Sequence, residues 1–192
     1  IWMKPDPHPI AYAAVEAYLF ARKAPGPKFG IDRMRALAAE LGHPERRLPH
    51  VHVAGTNGKG SVVAMLDAIL HAAGWRTGMF TSPHLVHLGE RVQVDRRMLS
   101  EAEIVALFEE LRPRADRLQA RSPEDAPGFF EFITAMAFLQ FARKSCDIGV
   151  IEVGLGGRLD ATNIIDSEVS VITSIAMEHC EILGDTVEQI AA

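Results

Sequence analysis

Cysteine, long apolar runs and concentrated basic charge are all scarce in this sequence of 192 residues. The two cysteines, Cys146 and Cys180, are too few for a disulfide framework, so we expect a reducing, cytoplasmic environment. No uninterrupted apolar run reaches the length of a membrane span, and residues 1–7 lack the pattern of a signal peptide. These absences argue against a secreted disulfide-rich scaffold and against a membrane-spanning protein.

Charge is spread too evenly for a nucleic-acid-binding surface. The sequence has 20 basic and 25 acidic residues, a net charge of −5, and its densest basic run is only Glu45-Arg46-Arg47. Binding to nucleic acid requires clustered positive charge, so we expect small-molecule partners and a monomeric chain. The hydrophobic content of 48% suffices for one sizeable core, and the length favours one domain.

The order of the predicted elements indicates an α/β fold. Apolar residues recur at helical spacing in residues 10–22 and 31–41, before the first strand. Four short apolar, β-branched runs predict strands at residues 51–54, 76–80, 147–153 and 169–174. Because helical segments separate these strands, we expect a doubly wound, mostly parallel sheet that binds its ligands at the carboxyl ends of the strands.

The segment between the second and third strands is predicted to hold a short excursion and two helices. Residues 86–98 alternate weakly and predict a small extended excursion. Ser100 begins a capping-box pattern, and the helix that follows is predicted to end near Leu111 because Pro113 breaks helices. A polar loop then leads to a strongly apolar helix over residues 129–144.

A glycine-dense turn follows the first strand and opens into a helix. It consists of Gly55, Thr56, Asn57, Gly58, Lys59, Gly60 and Ser61. Glycines let backbone N–H groups approach an anion, the helix N-terminus adds its positive dipole end, and Lys59 supplies charge for the outer phosphates of a nucleotide. The turn departs from the usual P-loop, since Val53 stands where its first glycine would fall and Gly60 separates Lys59 from Ser61. The alternative interpretation is an ordinary strand-to-helix turn with an exposed lysine.

Three polar residues mark the ends of the other predicted strands. They are Ser82, Glu152 and His179. Since the carboxyl ends of parallel strands share one edge of a sheet, we expect them near Lys59. A hydroxyl, a carboxylate and an imidazole can together hold Mg²⁺, which keeps water and phosphate oxygens as further ligands. Taken singly, each residue also has a structural interpretation, as a turn former, a strand-end carboxylate and a helix-start or core histidine.

Four blocks of the sequence carry a resemblance to a known family. They are residues 55–61, 81–85, 152–163 and 178–184. The blocks resemble the folylpolyglutamate synthase/dihydrofolate synthase family, within the Mur-ligase-like group of ATP-dependent amide-forming ligases, and block 152–163 is the most specific. The loop differs from that of Mur ligases proper, which place a hydroxyl residue directly after the lysine, where this chain has Gly60.

The resemblance implies a Mur-ligase-like central ATPase domain with assigned sites. ATP would lie on the loop at residues 55–61, Mg²⁺ would be held by Ser82, Glu152 and His179, and Lys59, Glu152 and His179 would serve catalysis. The pterin-bearing substrate would contact Lys28, Phe29, Gly30, Gly128, Phe129, Phe130, Glu131, Leu159, Asp160 and Ala161. On burial preference alone, the phenylalanines among these are more often core residues than ligands.

In the family's chemistry, ATP phosphorylates a carboxylate of dihydropteroate or a folate, and the amine of L-glutamate then displaces phosphate. The family also has a carbamylated lysine near the metal and a C-terminal domain that helps bind ATP and glutamate. Neither is found in residues 1–192, which we therefore expect to be a truncated N-terminal ATP-binding domain without turnover of its own. Two other classes stay open: a P-loop NTPase that drives a partner, and a non-catalytic nucleotide-binding module.

Overall fold

The computed structural model of the protein describes residues 10–22 and 30–192. Within these ranges the helices are α1 (Tyr12–Ala21), α2 (Asp32–Glu40), α3 (Lys59–Ala72), α4 (Glu101–Arg121), α5 (Phe129–Arg143), α6 (Cys180–Leu183) and α7 (Val187–Ala191). The strands are β1 (His50–Ala54), β2 (Thr77–Phe80), β3 (Val92–Val94), β4 (Arg97–Met98), β5 (Ile148–Glu152) and β6 (Val169–Ile172).

The strands form one mixed sheet in the order β4-β3-β2-β5-β1-β6. Strands β2, β5, β1 and β6 pair in parallel, with Val51 opposite both Val150 and Val169. The hairpin of β3 and β4 adds to the β2 edge in antiparallel pairing. The predicted doubly wound, mostly parallel sheet is confirmed, and the carboxyl ends of its four parallel strands lie at one edge.

Apolar clusters cover both faces of the sheet. Val150 and Ile151, neighbours in β5, belong to different clusters, as alternation along a strand requires. On one face α3 packs against β1, β2 and β5, with Val63 fully buried. On the other face α5 is buried along most of its length and is surrounded by α1, α2 and α4. All five residues of β5 are buried, which places Glu152 at the end of a fully buried strand.

Helix α4 continues through Pro113 and ends at Arg121, so the predicted end near Leu111 is wrong. A proline inside a helix costs about 3 kcal/mol. Beyond it, however, Ala115 and Leu118 are buried in the core and continue the helical spacing of the apolar face. Arg117 and Arg121 also contact the carboxylate of Glu40 in α2. Tertiary packing therefore stabilises the helix beyond Pro113. The local sequence pattern gives no sign of this packing.

The predicted excursion at residues 86–98 is confirmed as a short antiparallel extension of the sheet. A single 3-10 turn spans Leu88–Arg91, and β3 and β4 follow. Val92 and Val94 both pack on the α5 side of the sheet. In the part of the chain that is described, no helix combines the length and apolar character needed to cross a bilayer.

Candidate functional site

Strand β1 runs into the predicted phosphate loop, which is bound to the segment after β6. Thr56 donates its N–H to Ser174 O over 2.8 Å, and its hydroxyl donates to Ala176 O over 3.1 Å. Gly55 has φ +127°, and a Cβ there would lie 2.1 Å from Thr173 Oγ1. Only glycine fits at this position without rearrangement, because the loop and the segment after β6 approach so closely.

Lys59 is the first residue of α3 and folds back over the loop. Its Nζ donates to the carbonyl oxygens of Gly55, over 2.7 Å, and Thr56, over 3.1 Å. A lysine ammonium has three N–H donors, so one donor has no partner among the described residues and is left for a ligand. Gly58 precedes the helix with φ +87°, and Gly60 and Ser61 lie in the first helical turn. The cation is therefore held at a helix N-terminus, where backbone N–H groups also favour anions.

Glu152 ends β5 and is only 4% exposed. Its Oε2 accepts the N–H of Ser82 over 3.0 Å, which ties the end of β5 to the turn after β2. Gly60 also lies beside this carboxylate, since a Cβ at that position would be 3.5 and 3.6 Å from its two oxygens. Burial raises the pKa of Glu152, while the Ser82 N–H and the charges of Lys59 and Arg91 oppose that rise. The carboxylate thus lies between the loop, the β2 turn and two cations.

The turn after β2 is held by Arg91, which the sequence analysis did not single out. Arg91 O accepts the N–H of Thr81 over 3.0 Å, and Arg91 Nε donates to His84 Nδ1 over 2.7 Å. Its guanidinium also lies 5.2 Å from the ring centroid of Phe129. Only the antiparallel register of β3 against β2 brings Arg91 to this turn, and no local spacing could reveal it.

The start of α5 forms another wall of the site. Glu131 caps the helix by accepting the N–H of Gly128 through Oε2 over 2.5 Å, and its Oε1 lies 2.8 Å from both Nε and Nη2 of Arg33. Phe129 stacks on Phe20 at 5.5 Å and an interplanar angle of 15°. Phe130 lies 5.8 Å from Phe80. All four rings pack in or against the core, and Phe129 and Phe130 also line the cavity described below.

The loop after β5 is organised by Asp160, which is 7% exposed. Its carboxylate accepts N–H groups from Leu155, over 2.9 Å, and Thr162, over 3.0 Å, together with the Thr162 hydroxyl over 2.5 Å. Since that hydroxyl donates to Asp160, its oxygen accepts from Nε2 of His52, 2.8 Å away. Burial lowers the pKa of His52 to about 4 and raises that of Asp160. His52 and Thr162 were not predicted; they support Asp160 from behind the cavity.

His179 precedes α6 with φ +49° and is more exposed than Glu152, with 44% of its side chain accessible. Its Nε2 lies 3.6 Å from Glu178 Oε1, and its Nδ1 lies 3.9 Å from Glu181 Oε1. Among the described residues, no group of three or more His, Cys, Asp or Glu side chains is arranged to hold a metal ion. Any ion at this edge therefore needs ligands beyond these side chains.

Two neighbouring cavities collect most of the predicted site residues. The larger, of about 870 Å³, is lined by Gly30, Lys59, Ser82, Gly128, Phe129, Phe130, Glu131, Leu159, Asp160, Ala161 and His179, among others. The smaller, of about 450 Å³, is lined by Gly55, Thr56, Lys59, Leu159 and His179, among others. Lys59, Leu159 and His179 face both.

The remaining predicted site residues lie off these walls or outside the described ranges. Of the described ones, Asn57, Gly58, Gly60, Ser61 and Glu152 do not line either cavity. Glu152 lies next to the larger cavity, because it accepts a hydrogen bond from Ser82, which lines that cavity. Lys28 and Phe29 fall outside the described residues.

Comparison with known proteins identifies related chains. The curated dihydrofolate synthase/folylpolyglutamate synthase of Bacillus subtilis is 42% identical over 182 residues, which are 94% of this chain and 42% of that protein. A solved Mycobacterium tuberculosis folylpolyglutamate synthase complexed with ADP has a TM-score of 0.86 at 42% identity, covering 94% of this chain and 40% of the other. A solved FPGS–AMPPCP–folate complex has a TM-score of 0.89 at 35% identity, covering 94% and 44%.

These relatives are much longer than the sequence described, which spans about two fifths of their length. The family described as the Mur ligase middle domain matches residues 53–192. That match begins in β1 and includes the loop, the turn after β2, the Asp160 loop and His179. Since it covers more than half of the sequence, the chain belongs to the Mur ligase middle domain family.

Proposed function

We propose that this chain is the ATP-binding part of a ligase that joins L-glutamate to a carboxylate of dihydropteroate or of a folate. The observation that carries the proposal is the larger cavity, in which Lys59 and Ser82 lie with Phe129, Phe130 and Asp160. The names of the relatives support the same activity, and so does the presence of AMPPCP and folate together in one structural neighbour. Because the relatives are longer, the activity is proposed for the full-length gene product.

The nucleotide is assigned to the loop at residues 55–61. Its phosphates would meet the free N–H of Lys59 and the backbone N–H groups at the start of α3. The smaller cavity, between this loop and the segment at Ile172–Ile175, has room for the remainder of the nucleotide. Dispersed charge and two free cysteines, Cys146 and Cys180, fit a cytoplasmic enzyme that acts as a monomer.

The donor set at the same edge fits Mg²⁺. Among the described residues no ion pair engages Glu152, although this buried carboxylate lies beside the phosphate loop. A buried carboxylate needs a compensating charge, and Ser82 and His179 face the neighbouring cavity. Mg²⁺ needs few protein ligands because phosphate and water oxygens complete its shell. When bound, it would neutralise charge on the β- and γ-phosphates.

The proposed reaction has two steps. A carboxylate oxygen of the acceptor attacks the γ-phosphorus of ATP, and the bond from that phosphorus to the ADP oxygen breaks. The nitrogen of the glutamate amine then attacks the acyl carbon. The bond between that carbon and the phosphate oxygen breaks, phosphate leaves, and the nitrogen releases a proton. The first step brings two anions together, so Lys59 and the loop N–H groups lower its barrier by neutralising the phosphates.

The acceptor's flat ring system is assigned to the other end of the larger cavity. Phe129 and Phe130 provide apolar surface there, and Leu159, which is 46% exposed, lies where it can cover a ligand. The Asp160 carboxylate, fixed by Thr162 and Leu155, supplies an acceptor for ring N–H groups. Gly30, Gly128 and Ala161 complete this part of the assigned site, and Glu131 forms its wall. Lys28 and Phe29 are assigned to the acceptor by the resemblance alone.

The proposal is tested with the purified full-length gene product. ATP, Mg²⁺ and L-glutamate are supplied with dihydropteroate or with a folate, and the product is measured by mass spectrometry. We expect a gain of one glutamyl group and, from an acceptor with a heavy-oxygen-labelled carboxylate, transfer of one labelled oxygen to phosphate. ATP hydrolysis that needs no acceptor would indicate an NTPase, and nucleotide binding without any turnover would indicate a non-catalytic module; either result refutes the ligase.

A further inference from the structure

Arg91 is a buried cation that the proposed mechanism does not use. It is 7% exposed and lines the larger cavity, beside Ser82 and Phe129. Three contacts fix it in place: its O accepts the Thr81 N–H, its Nε donates to His84, and its guanidinium lies over the Phe129 ring. The side chain is therefore held rigidly against the cavity rather than extended into solvent.

The far end of this guanidinium has no anionic partner among the described residues. Across residues 10–22 and 30–192, neither Nη1 nor Nη2 of Arg91 makes a hydrogen bond or an ion pair. Glu152 influences Arg91 only through longer-range electrostatics. Burying a charged group without a partner is costly, whereas Arg33, which is partly buried and lines the same cavity, pairs with Glu131. Such an arrangement is typical of a site whose counter-ion arrives with a ligand.

We propose that Arg91 binds the carboxylate of the acceptor substrate through Nη1 and Nη2. This inference rests on the proposed ligase function and assigns a residue that the sequence analysis left out. With Nε occupied by His84, the two Nη groups form the fork that matches the two oxygens of a carboxylate. Two N–H donors that point to the same place are suited to a ligand that accepts hydrogen bonds through two oxygens.

The position of Arg91 favours the acceptor over the other two substrates. Arg91 lines the larger cavity with the aromatic residues, and it does not line the smaller cavity beside the phosphate loop. Its hydrogen bond to Thr81 places it next to Ser82, at the junction of the aromatic end and the phosphate end. A carboxylate held there by both oxygens faces the γ-phosphate, and the attacking oxygen uses the lone pair that does not accept from the guanidinium.

The experiment compares binding of dihydropteroate with binding of its carboxamide, by calorimetry on the full-length gene product without ATP. The variants are Arg91→Met and a matched control, Arg35→Met, whose arginine is exposed and pairs with the exposed Asp32. Losing a charge-assisted pair weakens binding roughly 10- to 100-fold. We expect that loss for dihydropteroate in Arg91→Met alone. Binding of the carboxamide should change little, so the preference for the carboxylate should disappear.

Steady-state kinetics show whether Arg91 binds the acceptor, ATP or L-glutamate. The KM for the acceptor should rise in Arg91→Met, while the KM values for ATP and L-glutamate stay near those of the parent. A rise confined to ATP or to glutamate would overturn the assignment, as would an unchanged preference for the carboxylate. Arg91→Lys retains the charge without the fork, and it should show a smaller loss; this variant serves if Arg91→Met does not fold.

The two proposals fail in distinguishable ways. If the parent binds dihydropteroate but forms no glutamyl product, the ligase function is refuted, and the calorimetry still decides the role of Arg91. If the parent binds neither dihydropteroate nor a folate, both proposals are refuted.

Discussion

Gly60 allows the proposed ion and phosphate site to be disturbed while the fold is kept. It is the second residue of α3, and a Cβ there would lie 3.5 Å from Glu152 Oε2 and 3.6 Å from Oε1. Both distances are ordinary van der Waals contacts, so Gly60→Ala needs no rearrangement. Replacing glycine by alanine in a helix stabilises it by up to about 1 kcal/mol. We therefore expect the free energy of unfolding to be unchanged or slightly higher.

Turnover should fall in the same variant, because the added methyl covers the carboxylate side that faces the loop. Displacing reacting groups by about 1 Å can cost on the order of 100-fold in rate, and we expect a loss of that size with a higher Mg²⁺ requirement. Both quantities are measured on the full-length gene product, together with thermal unfolding.

A double variant shows whether the methyl of Gly60→Ala acts through Glu152. If it does, Gly60→Ala combined with Glu152→Gln loses no more activity than Glu152→Gln alone, since residues in contact are not additive. Parental turnover and a parental Mg²⁺ requirement in Gly60→Ala would show that this carboxylate lies outside the reacting site. Additive losses would show that the methyl acts on something other than Glu152.

Four further predictions concern the same loop and its neighbours. Lys59→Ala should lower turnover roughly 100- to 1,000-fold with little change in melting temperature, and near-normal turnover would refute the phosphate-loop assignment. Glu152→Gln should weaken the Mg²⁺ dependence of turnover more than acceptor binding. Because burial raises the pKa of Glu152 above its ordinary value of 4.5, its ionisation destabilises the fold as pH rises from that value through the raised pKa. Glu152→Gln should therefore gain stability relative to the parent at neutral pH but not at lower pH, as measured by denaturant unfolding; a constant difference across pH would contradict this. Gly55→Ala should cost about 2–6 kcal/mol, from backbone strain and from overlap with Thr173, whereas Gly58→Ala, with open space around its Cβ, should cost only about 1–2 kcal/mol of strain. Equal losses of unfolding free energy in these two variants would show that Thr173 moves away from the added methyl without destabilising the protein.

The parallel strands and the residues that follow them could be predicted because both depend on local signals. Apolar runs bounded by turn residues gave β1, β2, β5 and β6 with nearly the observed bounds. The parallel arrangement then required the loop at Lys59 and the turn at Ser82 to share an edge. The predicted end of α4 was wrong for the opposite reason, since the continuation of this helix past Pro113 depends on packing against α2 and the core.

The supporting partners could not be predicted because they are distant in sequence. His52 and Thr162 are 110 positions apart, and Arg33 and Glu131 are 98 apart. Arg91 reaches its turn only through the register of β3 on β2. Periodicity and spacing report which face of an element is buried, but they do not report which polar groups meet across the fold.

That distinction changes how the charged residues of the larger cavity are interpreted. Glu131 was assigned to substrate contact by resemblance, yet both of its oxygens already accept hydrogen bonds, from Gly128 and Arg33. Its carboxylate caps α5 and pairs with the partly buried guanidinium of Arg33, so any contact with substrate would compete with the fold. Arg91 is the reverse case, with a fixed position and, within residues 10–22 and 30–192, no anion for its two Nη groups. If substrate charge is recognised in this cavity, Arg91 is the residue that can bind it, and Glu131 stabilises the wall.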